Sequence, residues 1–440
     1  MPPPFLDRVA TDRELPDHAD VVVVGAGIVG VLAALELAER GLRVLICEKG
    51  RVAGEQSSRN WGFVRKMGRD AAELPLALRS LAIWREVDAR HGIETGFRKT
   101  GIVFAGSARR KEAEFARWAA LGREHGIDVR LLGRDAIRDL VPGLGAGNDV
   151  AMHTPDDGRA EPSLAVPAMA GAARRMGVAI VERCALRGIE RSGGRVSGVV
   201  TERGPVRCDA VLVAAGAWSR AVLAPVGVDL PQLPIIGSVA RIDDVSALPP
   251  MPFAGERVAW RRREDGGATI ALRDSSISPV TADAIRLLPY YLPAYLKSWR
   301  ELRLRPASAC PAALRARSCD AGAFERSREL DPEPDEGTLR DALRALHEAL
   351  PATRGARVTH RWAGVMDVTP DAVPVIDAVE RVPGLHVASG FSGHGFGLGP
   401  GAGLLAAQII TGERPCVDPA PFRLARFGRR AVTLQPKEAA

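Results

Sequence analysis

Val21-Val22-Val23-Val24-Gly25-Ala26-Gly27-Ile28-Val29-Gly30 is a run of four β-branched residues that turns into a glycine-spaced loop. The run predicts a buried strand. The apolar, alanine-rich stretch Ile28–Arg40 predicts the helix that follows, and Arg43–Cys47 a second strand ending on Glu48, 18 residues beyond Gly30. In such a unit Gly25 makes the tight turn, Gly27 admits a pyrophosphate close to the backbone, and Gly30 lets the helix approach the sheet. The helix start, at Ile28 and Val29, offers free N–H groups and partial positive charge to phosphate. Glu48 is placed to accept hydrogen bonds from an adenosine ribose, with Lys49 beside it. The order strand, glycine turn, helix, strand, acid predicts dinucleotide binding. The motif does not choose between NAD and FAD.

The surrounding composition narrows the class. The chain has 440 residues, and two domains are expected at that length. Its hydrophobic content of 46% is ordinary for a globular enzyme. The net charge of +7 is mostly scattered arginine, clustered only at Arg261–Arg263 and Arg423–Arg430, which argues against a nucleic-acid partner. Richness in Arg over Lys fits a GC-rich bacterial genome. The six cysteines, Cys47, Cys184, Cys208, Cys310, Cys319 and Cys416, form no Cys-x-x-Cys and no Cys/His cluster, so no metal site is expected. The leading residues 1–19 do not resemble a secretory signal, and no apolar run reaches the ~18 residues of a membrane span. The expected location is the cytoplasm.

Further along, Gly54–Phe63 is a polar, glycine-flanked loop. Helical spacing of Leu74, Leu78, Leu81 and Trp84 predicts a helix over Ala72–His91, with a second over Ala108–His125 and a short strand at Gly101–Phe104 between them. A helix Pro162–Met176, a strand Val178–Glu182, a hairpin Leu186–Thr201 and a strand from Asp209 into the turn Gly216-Ala217-Trp218 restore the α/β pattern. Residues 232–275 suggest strands at irregular spacing. A helix is expected over Thr281–Leu302, an irregular connection over 303–337, a helix over Asp341–Leu350 and a strand over Arg357–Gly364. Pro383–Gly390 then forms a strand that feeds a second glycine-rich turn, Phe391-Ser392-Gly393-His394-Gly395-Phe396-Gly397-Leu398-Gly399-Pro400. The helix Gly401–Thr411 is expected to follow, with Pro400 near its start.

Taken together, Gly25–Gly30 with Glu48, Gly216-Ala217-Trp218, Trp362-Ala363-Gly364, Thr369-Pro370-Asp371 with Pro374-Val375-Ile376, and Gly390–Gly399 resemble the D-amino-acid oxidase-like family of FAD-dependent amine oxidoreductases. Within it, Gln56–Gly62 and Trp362–Asp371 look most like the sarcosine oxidase β subunit and the opine and D-hydroxyproline dehydrogenases. The resemblance implies a mixed α/β fold, with a Rossmann-like FAD-binding domain of discontinuous segments (19–65, 150–225 and 362–415). A mixed-sheet substrate domain (66–149 and 226–361) and a tail (416–440) complete it. It also implies FAD rather than NAD.

The resemblance further implies that Gly25, Gly27, Gly30 and Glu48 hold the ADP half. Ser57, Ser58, Arg59, Asn60 and Trp61 would run along the pyrophosphate and flavin, and Gly216 and Trp218 under the adenosine half. Gly393, His394, Gly395, Phe396, Gly397 and Leu398 would lie against the flavin, where N–H groups and a helix start would stabilise negative charge at N1 and C2=O. His394, Arg59 and Tyr291 are the candidates to touch substrate. Tyr290, Tyr291 and Tyr295 share one segment of the substrate domain; packing of that aromatic face in a core or subunit contact is the competing reading.

The expected reaction is hydride transfer from the carbon of a neutral amine to flavin N5, giving an imine. The expected substrate is an amino acid or secondary amine, and oxygen or a redox carrier takes the electrons. A 2-hydroxy-acid dehydrogenase and an FAD subunit active only inside a hetero-complex are the alternatives, and a homo- or hetero-oligomer fits either. The arginine that grips substrate carboxylate in glycine oxidases is replaced by Met366, followed by Asp367. The flavin-side lysine of monomeric sarcosine oxidase is replaced by Gly397. Arg59, Lys66, Arg65 and Arg241 are the candidates to take their place.

Overall fold

The computed structural model describes residues 6–298, 302–315 and 321–428. Cys319, residues 299–301 of the expected long helix and the tail beyond 428 lie outside them. Two large sheets organise the chain. The first has eight strands. Its parallel core sets Ala179–Val181, Val44–Cys47, His18–Val24, Gly204–Val213 and Leu385–Ser389 side by side. The hairpin Leu186–Thr201 and the strand Val375–Ala378 extend it. Chain order reverses between His18–Val24 and Gly204–Val213, so the glycine turn after Val24 opens at a topological switch point, where ligands bind in such sheets.

Alternation along the first strand separates two cores. Val21 and Val23 face a helical layer made by Ile28–Glu39, Leu74–His91, Pro162–Arg175 and Gly395–Thr411. Val22 and Val24 face the opposite side, where Trp218, Leu223, Ile236, Ala363 and Val365 close the core. Ile236, Ala363 and Val365 come from the second sheet, so the two sheets share apolar packing.

The second sheet has ten strands. Its spine is the long antiparallel pair Leu233–Ile242 and Val358–Val368, registered Gly237 to Gly364. Val150–Thr154 and Val358–Val368, which begin or overlap segments assigned from sequence to the dinucleotide part, pair here instead. Conversely Leu74–His91, assigned to the substrate part, packs its Leu76, Leu81 and Trp84 into the helical layer of the first sheet.

Four further expectations change. The last helix begins at Gly395, six residues before the expected start, so Pro400 lies inside it. A proline there removes one backbone donor and crowds the preceding turn. Ser80 restores the pairing: its hydroxyl donates to Gly397 O at 2.7 Å and accepts from Gly401 N–H at 3.1 Å, while Trp84 Nε1 also donates to Gly397 O. The segment from Thr281 is two helices, Ala282–Arg286 and Leu288–Ser298, rather than one. Pro289, inside the first turn of the second helix, has no N–H to donate to Ile285 O, so the first helix does not continue through it. The irregular stretch contains an edge strand, Leu302–Pro306, parallel to Ser276–Val280. The helix expected from Asp341 spans Glu336–Ala349, with Asp335 accepting from Thr338 N–H at 2.6 Å as its N-cap.

Candidate active site

A cavity of about 640 Å³ runs between the sheets. Gly25, Gly27, Ile28 and Val29 line one end with Glu48 and Lys49, and Gly393–Gly397 line the other. Ser57, Arg59, Asn60, Trp61, Gly216 and Trp218 line the walls between them. Gly30, Ser58, Leu398 and Tyr291 do not line it.

At the first end the backbone is shaped for close approach. Gly25 has φ +105°, and a Cβ on Gly30 would stand 2.1 Å from Gly25 O. Glu48 accepts Ala26 N–H at 2.8 Å and Gly50 N–H at 2.7 Å, which pins it across the turn. Desolvation pushes its pKa up to about 7 against the pull of Lys49. A carboxylate held there with lone pairs to spare fits the paired hydroxyls of a ribose.

Several predicted binding side chains have other partners. Ser57 Oγ accepts Ile28 N–H at 2.9 Å, capping the first helix. Ser58 Oγ donates to Glu55 O at 3.3 Å. Asn60 donates to Gln56 O and Ser57 O and accepts Gly62 N–H, holding the loop's own shape. Arg59 is buried; it donates to Gly54 O and Ala363 O and pairs with Asp331. Its charge is therefore compensated within the chain. Trp218 donates to Glu55 at 3.0 Å with the Lys49 ammonium 4.3 Å above its ring. Lys49 also donates to Ser327 O and Arg328 O.

At the other end His394 meets the start of the helix Gly395–Thr411. Its Nδ1 lies 3.1 Å from both oxygens of the buried Glu73. Burial and the nearby Arg69 push the His394 pKa down to about 4, so the ring is neutral at ordinary pH. Against desolvation, which raises it, the hydrogen bond from His394 and the nearby Arg69 and Arg65 hold the Glu73 pKa low, and it stays ionised. The hydrogen bond then requires the proton on Nδ1 and leaves Nε2 as an acceptor. Asp367 also lines the cavity, and its Oδ2 accepts Gly390 N–H at 2.7 Å and Ser389 Oγ at 3.1 Å, fixing the glycine turn.

Tyr291 donates to Val368 O at 2.5 Å and lies 3.1 Å from Pro231 O, bracing the second sheet rather than facing the cavity. Of the other anchor candidates, Lys66 pairs with buried Asp157 at 3.0 Å and Arg241 with Asp265 at 3.0 Å, and neither lines the cavity. Met366 and Gly397 do line it, and so does Arg65. Arg69, Glu73, Arg273 and Phe104 were missed in the sequence. The available signal was the spacing Arg65, Arg69, Glu73, four residues apart before a helix, which reads equally well as a solvated face.

Known proteins resemble this chain over nearly its whole length. Residues 20–409 match the family model DAO, described as FAD dependent oxidoreductase. Glycine oxidase of Pseudomonas aeruginosa PAO1 is 28% identical over 411 residues, covering 91% of this chain and 97% of that enzyme. Human mitochondrial sarcosine dehydrogenase is 24% identical across 97% of this chain, which spans 43% of its length. The solved structure of L-amino acid deaminase from Proteus myxofaciens in complex with anthranilate aligns with a TM-score of 0.90 at 30% identity, over 97% of both chains. With the Glu48 cradle and the second glycine turn on one cavity, the chain belongs to the DAO family of FAD-dependent oxidoreductases and uses FAD.

Proposed function

We propose that this oxidoreductase oxidises the C–N bond of an amino acid or secondary amine, of the D- or N-substituted, opine-like kind, to an imine. The single observation that carries the reading is one cavity joining the Glu48 cradle to the neutral, Glu73-held His394. The eight-stranded sheet and its helices form the FAD-binding part in this proposal, and the ten-stranded sheet the substrate part.

Bound FAD supplies a two-electron acceptor for the hydride leaving the substrate carbon. Glu48 would hold the ribose, and Gly27 with the positive start of the helix Ile28–Glu39 would face the phosphates, since the N–H groups of Gly25, Ala26 and Ile28 are taken by Cys47 O, Glu48 and Ser57 Oγ. The helix start at Gly393–Gly397 places positive backbone dipoles where negative charge gathers. His394 Nε2 would accept an N–H of the substrate amine and orient it, the amine binding as the free base whose lone pair assists hydride departure. The apolar walls Phe104, Phe396 and Met366 exclude water from that step.

Among the described residues no helix is long and apolar enough to cross a membrane. Buried free thiols at Cys47, Cys184 and Cys208 suit a reducing compartment, and we place the enzyme in the cytoplasm on that ground.

The test is anaerobic mixing of the FAD-loaded protein with D-, L- and N-alkyl amino acids while following the flavin absorbance. Bleaching by amines with matching imine hydrolysis products is expected. Bleaching by a 2-hydroxy acid and by no amine would overturn the reading. Readmitting oxygen and measuring peroxide then separates oxidase from dehydrogenase.

A further inference from the structure

Three arginines gather where His394 faces the cavity, and none has a carboxylate within ion-pair distance among the described residues. Arg69 is only 4% exposed, lines the cavity, and leaves Nε and Nη1 buried without a partner. Its nearest relation to the glycine turn is close: a Cβ on Gly397 would stand 3.6 Å from Arg69 Nη2. Arg65 donates only to Met67 O, with its guanidinium 5.0 Å from the Phe104 ring centre. Arg273 donates to Gly255 O at 2.8 Å, with its guanidinium 5.8 Å from the same ring. Both also line the cavity.

Other buried arginines here are treated differently. Arg59 has Asp331, and Arg261 and Arg263 share Glu161. Around the trio, Lys66 and Asp157 cancel each other, and His394 is neutral. Glu73 supplies one negative charge. Glu73 is the one carboxylate held beside the three guanidiniums; Asp367 and Asp274 also line the cavity, but neither comes within ion-pair distance of the trio, so the guanidiniums face the cavity in excess. A desolvated, unpaired charge is costly, and an orphaned buried donor adds its own penalty. The site is therefore arranged for a ligand that brings two negative charges.

We propose that this end of the cavity is a two-anion site, in which Arg69 takes one carboxylate beside His394 and Arg65 with Arg273, both against Phe104, takes a second. The substrate class is then an amine carrying two carboxylates, such as an N-(carboxyalkyl) amino acid or an acidic amino acid. This specificity rests on the C–N oxidation reading. It explains how the chain dispenses with a cation at Met366 and Gly397. An amine with one carboxylate satisfies half of the site. Planar guanidiniums suit carboxylates because two parallel N–H groups meet two oxygens.

The test uses the oxidised, FAD-loaded protein without turnover. Butyrate and glutarate, which differ by one carboxylate, are titrated while the flavin spectrum and the heat of binding are followed. Glutarate is expected to bind at least ~10-fold more tightly than butyrate. Arg69→Gln should bring glutarate to the level of butyrate, and Arg69→Lys should recover part of the difference. Arg273→Gln repeats the test should Arg69→Gln fail to retain FAD. Equal binding of the two acids by the unmodified enzyme overturns the site. So does an Arg69→Gln protein that keeps the full preference while its flavin midpoint potential shifts, since Arg69 would then serve the flavin. The two proposals fail separately. If amines bleach the flavin while the two acids bind alike, only the two-anion site falls. If glutarate binds tightly while no amine bleaches the flavin, only the oxidation reading falls.

Discussion

Glu48 shows how much one side chain can reveal before any coordinates. Its place after a second strand, at a fixed distance from a glycine turn, predicts a ribose acceptor, and the structure sets it against Ala26 N–H and Gly50 N–H. Glu48→Ala is expected to yield largely colourless protein, read from the FAD absorbance per chain. Its titration gives a signed prediction. Burial raises the pKa from 4.5 to about 7, so the folded apo protein keeps its proton longer than the unfolded chain does. Apo stability should therefore fall as pH rises through that window. Ribose hydroxyls donate best to the ionised carboxylate, so FAD uptake should tighten as pH rises toward about 7 and then level off. Quenching of FAD fluorescence on binding measures this, and Glu48→Gln should flatten the dependence. His394 gives the opposite case. With its pKa near 4, set by burial and Arg69 and partly countered by Glu73, the rate of flavin reduction should show no His394 inflection near 6.5. An inflection there that His394→Gln removes would contradict the neutral imidazole. His394 was legible because it interrupts a glycine turn. Arg69 was not, because nothing in a sequence separates an arginine buried without a partner from one on a solvated helix entrance. The partners of Arg59 and Tyr291 were not legible for the same reason: residue type announces a capacity to bond, and only packing chooses the partner.

Among the elements, those with strong local period were legible and those set by tertiary contacts were not. The first strand, its helix and the helix Leu74–His91 follow the expected patterns to within three residues at each end. The last helix does not. Pro400 reads as a helix start by local rules, but Ser80 and Trp84 reach in from a distant helix to occupy Gly397 O and Gly401 N–H. With those groups satisfied, the helix extends back to Gly395 and its first turn reaches the cavity. The glycines beyond the proline have a matching purpose. A Cβ on Gly401 would meet Leu76 O at 2.9 Å, and one on Gly403 would meet Ala33 N at 2.7 Å. Ser80→Ala is thus expected to destabilise by about 1–3 kcal/mol, the penalty for a buried backbone group left unpaired. It should also loosen FAD, because the same turn lines the flavin end. Chemical denaturation and FAD release rates check the two effects. Ser80→Thr, which keeps the hydroxyl, is expected to lose less FAD affinity than Ala if its added methyl finds room beside Gly401.

At the scale of the whole molecule, function depends on how the two sheets are fixed to each other, because the cavity lies between them. The register Gly237 to Gly364 keeps the spine of the second sheet close to Arg59: a Cβ on Gly364 would touch the Arg59 side chain at 3.4 Å. Trp362 donates to Arg59 O at 3.0 Å from the same strand. The strongest tie is a buried charge cluster. Glu161 stands just before the helix Pro162–Arg175 of the first sheet's helical layer, and Arg261 and Arg263 stand on and just after the strand Val258–Arg262 of the second sheet. Arg261 Nη1 and Arg263 Nη2 lie 3.0 and 3.2 Å from the Glu161 carboxylate, and Arg261 Nε donates to Trp61 O at 2.6 Å. The loop that carries Trp61 lines the cavity, so the cluster links the two sheets and the cofactor wall through one carboxylate. Desolvation raises the Glu161 pKa, but Arg261 and Arg263 outweigh it, bring it below the ordinary value and hold the carboxylate ionised. Removing that charge strands the Arg261 guanidinium in a dry interior and leaves Arg263 with Asp265 alone. Glu161→Gln is expected to destabilise by about 3–5 kcal/mol, the range for breaking a buried ion pair from one side. Because the loss falls at the junction, the FAD-loaded protein should release cofactor before its secondary structure melts. Simultaneous monitoring of flavin fluorescence and far-ultraviolet circular dichroism during heating tests this. Coincident transitions in Glu161→Gln, at the unmodified protein's temperature, would show that the sheets are held together elsewhere.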